Sequence, residues 1–570
     1  MSKKRSAPAS ASSAPAAPVG RLPPAAVLAA LAAAAFLGLG FIRSASPTYD
    51  EPLHLASGWT YLATGRYRLN ITDHPPLAEM WAALGMAGLK PAALTGHPDF
   101  QALRRYGFAD HFLYRNTADA RRMLDSARAF TLLTVGGALI LLLAAWARRL
   151  DGPAAAGGAA WAAALSPVLV SNLGLVSTDG LSAALYAATF YFLARPERPA
   201  KVWAAAGFCA GLALASKFNM VLLAGLVPVL LLLERGLDRQ GPPGLPRARG
   251  AALFAAAAVL ALAAVYRFGQ VGLWWEGLRA TMSRLGEGRA SYLLGSHSTS
   301  GTLAYFPVAL SVKSPLGLLA LSVWGLAAAA RRPSRGERLW LILPAAAYAL
   351  ASSTAKVQIG IRHLLPVFPF LALWAGLGAA DLWRRRAAGR AALALLSIWT
   401  AVSVLRVQPH LLAYFNEAAG GPAGGWRWLA DSNLDWGQDL GALADELRAR
   451  GGPPVYLAYF GVGDPSYYGI RYAQALANWN VPRSGDDVDP AAESGKVLLA
   501  VSATNLAGVY MADHGLFGWL QARAPAAVPG HSIFLYDLTA DPEGRARLAE
   551  LLTQTRHPRA AGLAKSLLLQ

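Results

Sequence analysis

Cysteine and charge are both scarce in this chain of 570 residues. Cys209 is its one cysteine and falls in an apolar run, which excludes an intramolecular disulfide framework and a cysteine-based metal site. Charged residues make up 15% of the chain, hydrophobic residues make up 55%, and the mean hydropathy is +0.34. Soluble proteins carry about 25% charged residues. The composition therefore excludes cytosolic, fibrous and disordered classes and indicates a polytopic membrane protein.

Sequence motifs for nucleotides and zinc are also missing. The chain has no Walker sequence, no Rossmann fingerprint at a strand–helix junction and no His-Glu-x-x-His pattern. A divalent metal cannot be assigned to any set of ligands. We therefore predict no cofactor.

The net charge of +19 is unevenly distributed along the chain. Residues 407–570 carry 12 Lys+Arg and 16 Asp+Glu, so the first 406 residues carry a net charge of +23. These basic residues lie in short loops between apolar runs and form no patch interleaved with aromatic residues. The pattern argues against nucleic acid as a partner and is typical of membrane topology.

Apolar segments that are candidates to span a membrane fill most of the first 406 residues. A membrane helix needs about 20 apolar residues, and we count about eleven candidates. With the N-terminus in the cytoplasm, every short basic loop falls on the cytoplasmic side, as the positive-inside rule requires. A cleaved signal peptide is the alternative for the first segment and leaves the later loops on the same sides. The candidates are 24–43, 127–146, 154–172, 177–194, 202–216, 219–233, 251–267, 303–330, 338–353, 361–380 and 389–406.

Two longer segments then lie outside the membrane on the opposite, outer side: the first loop, 44–126, and the tail, 407–570. The tail has apolar runs that predict buried strands, and residues 437–450 have helical apolar spacing. Strands alternating with helices predict a small α/β domain. The first 23 residues are rich in Ala, Ser and Pro, and we predict that they are disordered. The runs are Val455–Phe460, Val497–Val501 and Ile533–Tyr536.

Adjacent carboxylates, Asp50 and Glu51, follow the first apolar segment by a few residues. A charge beside lipid usually serves a function. The alternative is a helix N-terminus, with Asp50 as the cap and Glu51 favouring the helix dipole. The following residues, 52–65, are typical of an interfacial helix. The two interpretations are compatible.

Two further acidic sites fall on the same outer side. Asp73 and His74 precede a Pro-Pro turn and an apolar helix, and Asp179 follows Ser-Thr at the start of another apolar segment. Each is also compatible with a turn or a helix cap. Independent caps have no reason to share one side of a membrane, so we expect these groups to converge.

Basic residues at this outer surface are few. Lys217 lies in a tight link, Lys313 lies about ten residues into an apolar stretch, and Arg362 and His363 begin another segment. Snorkelling toward lipid headgroups is the alternative for each. Together they predict a pocket for a lipid phosphate. Carboxylates facing cations at the membrane edge suit group transfer, because a carboxylate accepts a proton while cations stabilise a departing phosphate.

These residues resemble motifs of the GT-C membrane glycosyltransferases. Residues 24–406 are most similar to the dolichyl-phosphate-mannose protein mannosyltransferase family and its bacterial relatives, including the aminoarabinose transferases that modify lipid A. The tail segment Asp431–Asp439 also looks like one found in bacterial members of unassigned acceptor. The matching motifs are Asp50-Glu51, His74-Pro75-Pro76-Leu77, Ser177-Thr178-Asp179, Ser216-Lys217-Phe218 and residues 360–366.

The resemblance implies an inverting transfer from a polyprenyl-phosphate-linked sugar to an acceptor hydroxyl or amine on the outer face. It implies Asp50 as the general base, with Glu51 and Asp179 at catalytic-site acidic positions that orient the acceptor or assist the reaction. Asp73 and His74 would support the acceptor side. The implied donor-phosphate ligands are Lys217, Arg362, Lys313 and His363. Sugar and acceptor, whether lipid, glycan or protein, stay open.

Two other function classes remain at this point. A transporter or flippase for a lipid-linked glycan would also be polytopic, although inverted repeats, which are common in transporters, are not visible. A non-catalytic envelope assembly protein would bind a partner through the tail, where Trp426, Trp428 and Trp436 lie near Asp431–Asp439. The Ala-, Gly- and Arg-rich composition indicates a bacterial plasma membrane, with the active site and tail extracytoplasmic.

Overall fold

The computed structural model describes residues 24–237, 244–332, 334–476, 480–481, 483, 488–554 and 559–569. The predicted disordered segment 1–23 lies outside these residues, as do residues 238–243 of one predicted basic loop. Helices dominate the described part of the chain, as its long apolar runs require.

Residues 24–237 form the first loop and the first group of apolar helices. The longest helix continues from one predicted segment into the next and bends at Asp151-Gly152, where Gly152 has φ +80° and Pro153 follows. A five-residue π-helical turn, Leu132–Gly136, joins it to the helix before it. The helices are α1 (Pro24–Ser44), α2 (Glu51–Thr64), α3 (Leu77–Leu84), α4 (Pro98–Gln101), α5 (Arg105–Tyr114), α6 (Ala120–Thr131), α7 (Gly137–Ala164), α8 (Pro167–Leu173), α9 (Asp179–Leu193), α10 (Ala200–Leu214) and α11 (Leu222–Leu237).

Residues 244–406 contain the second group of apolar helices. The predicted segment 303–330 consists of two helices with a bend of 116° between them. The first helix ends because Pro315 forces Ser314 into an extended conformation. A 3-10 turn, Ile361–Val367, leads into the helix that begins at Phe368. The helices are α12 (Arg247–Val265), α13 (Gly272–Glu287), α14 (Tyr305–Lys313), α15 (Leu316–Ala330), α16 (Arg335–Ser353), α17 (Phe368–Arg384) and α18 (Ala387–Leu405).

The predicted polytopic helical architecture is confirmed, but the span count of eleven is not. Each of the eleven predicted segments is largely helical. In the described ranges, 6 helices are long and apolar enough to cross a membrane, or up to 7 if the bent pair α14–α15 is one span. The helices α9 and α10 have 15 residues each, which is short for a straight crossing of about 20 residues.

Basic loops meet at one end of the helices. Arg149 donates to the Ala194 carbonyl at 3.4 Å, and Arg332 donates to the Leu150 carbonyl at 2.9 Å. Arg384 forms a two-pronged ion pair with Asp151. These contacts place four connections between helices side by side, near residues 150, 194, 332 and 384, as expected if they share one side of a membrane.

The tail contains the predicted mixture of strands and helices. Its strands are β3 (Val455–Ala458), β4 (Tyr472–Gln474), β5 (Leu498–Ser502) and β6 (Ile533–Asp537). They form a sheet of order β4-β3-β5-β6, in which the pairs β3–β4 and β3–β5 are parallel and the pair β5–β6 is antiparallel. The three predicted strands are present, whereas β4 was not predicted because three residues give too short an apolar signal. The helices of the tail are α19 (Gly421–Gly425), α20 (Leu440–Ala449), α21 (Pro490–Ser494), α22 (Ala503–Leu506), α23 (Pro542–Gln554) and α24 (Ala560–Leu569). Outside the tail, β1 (Ser291–Leu293) and β2 (Ser296–Ser298) form a separate hairpin.

Candidate active site

Asp50 lines a polar cavity of about 420 Å³ at the end of the helices opposite the basic loops. It occupies the N-cap position of α2, but its side chain makes no capping hydrogen bond there. The carboxylate is 28% exposed, and its Oδ2 lies 3.5 Å from Nη2 of Arg362. Asp50 is therefore a partly solvated carboxylate that faces a cation, and the cap interpretation does not describe its side chain.

Glu51 points away from this cavity. Its carboxylate is fully buried against Arg128, whose Nε donates to Oε1 at 2.8 Å. The backbone amides of Thr48 and Val176 donate to the two oxygens at 2.8 Å each. Nη2 of Arg128 is the fourth donor, at 2.5 Å from Oε2. The expected role of Glu51 in orienting the acceptor or assisting the reaction does not fit this environment, because the four donors already saturate its oxygens. Glu51 instead ties the start of the first loop to α6 and to the segment before α9.

Asp179 is the first residue of α9 and lies beneath the cavity, with its side chain 1% exposed. Its Oδ1 accepts a hydrogen bond from the Lys217 ammonium, and its Oδ2 is 3.6 Å from Nη1 of Arg362. That Oδ2 has no hydrogen-bond partner within the described ranges. One buried carboxylate thus faces two cations, which reduces the cost of burying all three charges.

Arg362 and His363 enter the cavity from the 3-10 turn that precedes α17. The Arg362 guanidinium lies between Asp50 and Asp179. Its Nε donates to the Ser432 hydroxyl at 3.1 Å, and its guanidinium carbon lies 4.1 Å from the ring centre of Trp436. The predicted convergence of Asp50, Asp179, Lys217, Arg362 and His363 is therefore present in the fold.

Asp73 and His74 also line the cavity, on its first-loop side. Asp73 forms ion pairs with Arg105 and Arg284 at the rim. The ring of His74 packs edge-on against His54 at 5.0 Å. Burial holds the pKa of His74 well below its usual value, and the neighbouring His54 and Lys217 lower it further, so His74 is a neutral imidazole at pH 7.

His54 and Glu79 form a buried pair behind His74. Nδ1 of His54 lies 2.8 Å from Oε1 of Glu79, which also accepts from the Asn70 amide at 2.6 Å. Burial lowers the pKa of His54, but the hydrogen bond to Glu79 and the charge of that carboxylate outweigh it and leave the pKa raised. The pair fixes the ring against which His74 packs. Sequence reasoning missed both residues because each lies among apolar helix positions.

Lys313 does not reach the cavity. Its ammonium is buried and donates to the carbonyls of Leu412, Tyr414 and Asn433, the first at 2.9 Å. It also lies 4.3 Å from the ring centre of Phe415. The expectation that Lys313 binds a phosphate is contradicted, because three carbonyls already occupy all three of its N–H donors.

Three arginines that the sequence analysis did not single out line the same cavity: Arg105, Arg284 and Arg289. Arg284 is the basic residue in the last turn of α13, and Arg289 follows that helix. They lie on polar stretches outside the apolar segments, so hydropathy gave no signal for them. The cavity is consequently more basic than Lys217, Arg362 and His363 alone predict.

An apolar cleft of about 200 Å³ adjoins the polar cavity. The two share wall residues, among them Phe218, Leu285 and His363. The remainder of the cleft wall is mainly apolar and includes Met282 and Phe306. The combined space has a charged compartment and an apolar compartment in direct contact.

No group of three or more His, Cys, Asp or Glu side chains in the described ranges is arranged to hold a metal ion. Lys217, Arg362 and the three arginines named above carry positive charge along the cavity wall.

Comparison with known protein families gives a match over part of the chain. Residues 124–266 match the model of the family described as dolichyl-phosphate-mannose-protein mannosyltransferase. No curated protein sequence matches the chain. The family match confirms the predicted resemblance and the predicted enzyme class, glycosyltransferase.

Several solved structures are similar to the chain over most of its length. ArnT from Cupriavidus metallidurans bound to undecaprenyl phosphate is 14% identical, with 90% of this chain and 98% of ArnT covered and a TM-score of 0.50. The apo form of the same ArnT is 15% identical, with 90% of this chain and 97% of ArnT covered and a TM-score of 0.48. The apo oligosaccharyltransferase of Archaeoglobus fulgidus is 13% identical, with 84% and 69% covered and a TM-score of 0.45. The ArnT complex has the fold described above, which confirms the predicted GT-C type.

Proposed function

We propose that this chain, which resembles the GT-C glycosyltransferases in fold and matches their mannosyltransferase family over residues 124–266, transfers a sugar from a polyprenyl-phosphate-linked donor to an acceptor hydroxyl or amine. One observation carries the proposal. A partly exposed carboxylate, Asp50, faces Arg362 and shares a cavity with Lys217, and that cavity has wall residues in common with an apolar cleft. A lipid-linked donor also accounts for a chain that has no nucleotide motif.

The donor phosphate is assigned to the cations at the cavity floor. Arg362 presents a planar guanidinium, which suits two-pronged binding of phosphate oxygens, and Lys217 adds a point charge. The apolar cleft then takes the first isoprene units of the lipid, because burying apolar chain releases water from both surfaces. ArnT was crystallised with undecaprenyl phosphate, which supports a donor of this class.

Asp50 is assigned the proton transfer. Its carboxylate accepts the proton of the acceptor hydroxyl or amine as that atom attacks the anomeric carbon of the donor sugar. The bond between the anomeric carbon and the phosphate oxygen breaks, and its electron pair stays on the phosphate. Arg362 and Lys217 stabilise this developing charge. A single displacement of this kind inverts the anomeric configuration.

The remaining residues are assigned supporting roles. Asp179 contacts both Lys217 and Arg362 and holds them against the donor phosphate. Neutral His74 and the rim carboxylate Asp73 shape the acceptor side, and His363 borders both compartments. Glu51 acts through the backbone next to Asp50, and Lys313 acts through the carbonyls that it binds.

We also propose the membrane orientation. The N-terminus and the basic loops face the cytoplasm of a bacterial cell, and the cavity and the tail lie on the extracytoplasmic side. The arginines gathered at the opposite end of the helices from Asp50 support this orientation. Residues 24–406 would form the glycosyltransferase domain and residues 407–570 the outer domain.

The decisive experiment compares cells that carry the wild-type gene, no gene or Asp50→Asn. Mass spectrometry of envelope lipids, glycans and proteins should show one glycan mass that only the wild type makes, and it would identify sugar and acceptor together. Removal of a general base lowers a rate by about 10²- to 10⁴-fold. Asp445→Asn, at a carboxylate that is 72% exposed on α20, is the matched control and should keep the mass.

Two results would contradict the proposal. A glycan mass retained by Asp50→Asn would remove the catalytic assignment. Movement of a lipid-linked glycan across sealed vesicles, with no covalent product, would replace the transferase with a transporter or flippase.

A further inference from the structure

The tail segment Asp431–Asp439 has no role in the transfer described above, yet it is buried beside the cavity. It begins with a 3-10 turn, Asp431–Asn433. Asp431 has φ +54°, and its carboxylate accepts from the Tyr510 hydroxyl while its backbone amide donates to Thr504 at 3.1 Å. Asp431 has a left-handed backbone conformation, and both its carboxylate and its amide are hydrogen-bonded. These constraints fix the direction in which the following residues leave the turn.

Ser432 and Asn433 hold the turn that carries Arg362. The Ser432 hydroxyl donates to the Ile359 carbonyl at 2.7 Å and accepts from Nε of Arg362 at 3.1 Å. Oδ1 of Asn433 accepts from the backbone amide of Ile361 at 2.8 Å. Gly360 lies so close that a Cβ there would overlap the Ser432 hydroxyl. The two segments therefore fit only with glycine at this position.

The same tail segment holds the backbone next to Asp50. The carbonyl of Trp436 accepts from the amide of Tyr49 at 2.8 Å, and the carbonyl of Gln438 accepts from the amide of Ser46 at 2.7 Å. The amide of Gly441 donates to the Ser46 hydroxyl at 2.9 Å. These bonds span nearly 400 residues of sequence and attach the residue before Asp50 to the tail.

Trp436 makes both kinds of contact. Its carbonyl binds the backbone beside Asp50, and its indole face lies 4.1 Å from the guanidinium carbon of Arg362. The contacts of Arg362 with the Asp50 and Asp179 carboxylates are 3.5 and 3.6 Å, longer than direct hydrogen bonds. The shorter contact, at 3.1 Å, is to Ser432. Arg362 therefore contacts the tail more closely than it contacts either carboxylate.

We infer that residues 432–438 form a brace that sets the position of Arg362 relative to Asp50, with Trp436 and Ser432 as positioning residues. The inference rests on the proposed function, because it gives Arg362 the donor phosphate as its ligand. The guanidinium keeps its side contacts with the tail while its Nη atoms remain directed at the cavity. A preset guanidinium loses less conformational entropy when it binds phosphate.

Binding of a polyprenyl monophosphate to the full-length detergent-purified protein tests the brace. A cation–π contact of this kind corresponds to between about twofold and thirtyfold in affinity. Trp436→Leu should weaken binding within that range, and Trp436→Phe should recover at least half of the logarithmic loss because it keeps an aromatic face. Trp426→Leu, which truncates a tryptophan that packs on Phe534, is the matched control and should bind like the wild type.

A double-mutant cycle separates positioning from general damage. In an Arg362→Gln background, Trp436→Leu should cause no further loss of polyprenyl phosphate affinity, since no guanidinium remains to be positioned. Additive losses, or wild-type affinity in Trp436→Leu, would overturn the brace. If Trp436→Leu does not fold, Ser432→Ala decides: a loss of about threefold supports the brace, and unchanged affinity overturns it. Wild-type affinity in Arg362→Gln would instead overturn the donor assignment on which the proposed function rests.

Discussion

Substitution Glu51→Gln distinguishes a structural carboxylate from a catalytic one. Glu51 and Arg128 are both 0% exposed, and the Glu51 oxygens accept from the Arg128 guanidinium and from the amides of Thr48 and Val176. Each oxygen accepts from one backbone amide and one guanidinium nitrogen. A glutamine therefore places its NH₂ group against two donors whichever way it turns, and it leaves the Arg128 charge without its carboxylate.

The expected cost is large. Removing one partner of a buried ion pair destabilises a protein by about 3–5 kcal/mol. Asp125→Asn is the matched control, because Asp125 is 27% exposed and lies 3.8 Å from the same guanidinium. It should cost less than about 1 kcal/mol.

Thermal unfolding of the detergent-purified protein, followed by tryptophan fluorescence, measures these differences. Sugar transfer is then assayed at a temperature where every variant remains folded. We expect a clearly lower unfolding midpoint for Glu51→Gln and substantial residual transfer. An unchanged midpoint with abolished transfer would refute the structural role and return Glu51 to the catalytic residues.

Two further predictions concern residues outside the cavity. Lys313→Met should lower the unfolding midpoint, because each charge-assisted hydrogen bond to a carbonyl is worth about 1.5–3 kcal/mol; an unchanged midpoint in thermal unfolding would contradict this. Burial raises the pKa of Asp435 from its ordinary value near 3.9 to about 8. Between these two pH values the folded protein keeps the Asp435 proton, whereas the unfolded chain has released it. The contribution of Asp435 to the free energy of unfolding therefore falls as the pH rises from about 4 to about 8, and it stays constant above about pH 8. In thermal unfolding across this pH range, the midpoint of Asp435→Asn should rise relative to that of the wild type until about pH 8. A midpoint difference that does not change with pH would contradict the raised pKa of Asp435.

The helices of the membrane region and the acidic motifs could be predicted from sequence because both are local signals. A run of apolar residues specifies a helix that lipid can surround, and short basic loops specify its direction. These rules predict that Asp50, Asp179, Lys217 and Arg362 lie on the same side of the membrane. They did not determine the number of crossings, because α9 and α10 are apolar but short and Pro315 breaks another segment.

The tertiary structure decided which charges face the cavity. Glu51 and Lys313 share with Asp50 and Lys217 the sequence pattern of a charge beside an apolar run. In the fold, however, Glu51 and Lys313 are bound by buried partners and do not face the cavity. Arg128 comes from a different helix, and the carbonyls that bind Lys313 come from residues about 100 positions later. The brace around Trp436 likewise joins residues that lie far apart in sequence. The residues next to a charge in sequence indicate whether it lies beside an apolar segment. Whether its hydrogen-bonding capacity is already used depends on partners from distant parts of the chain, which only folding brings together.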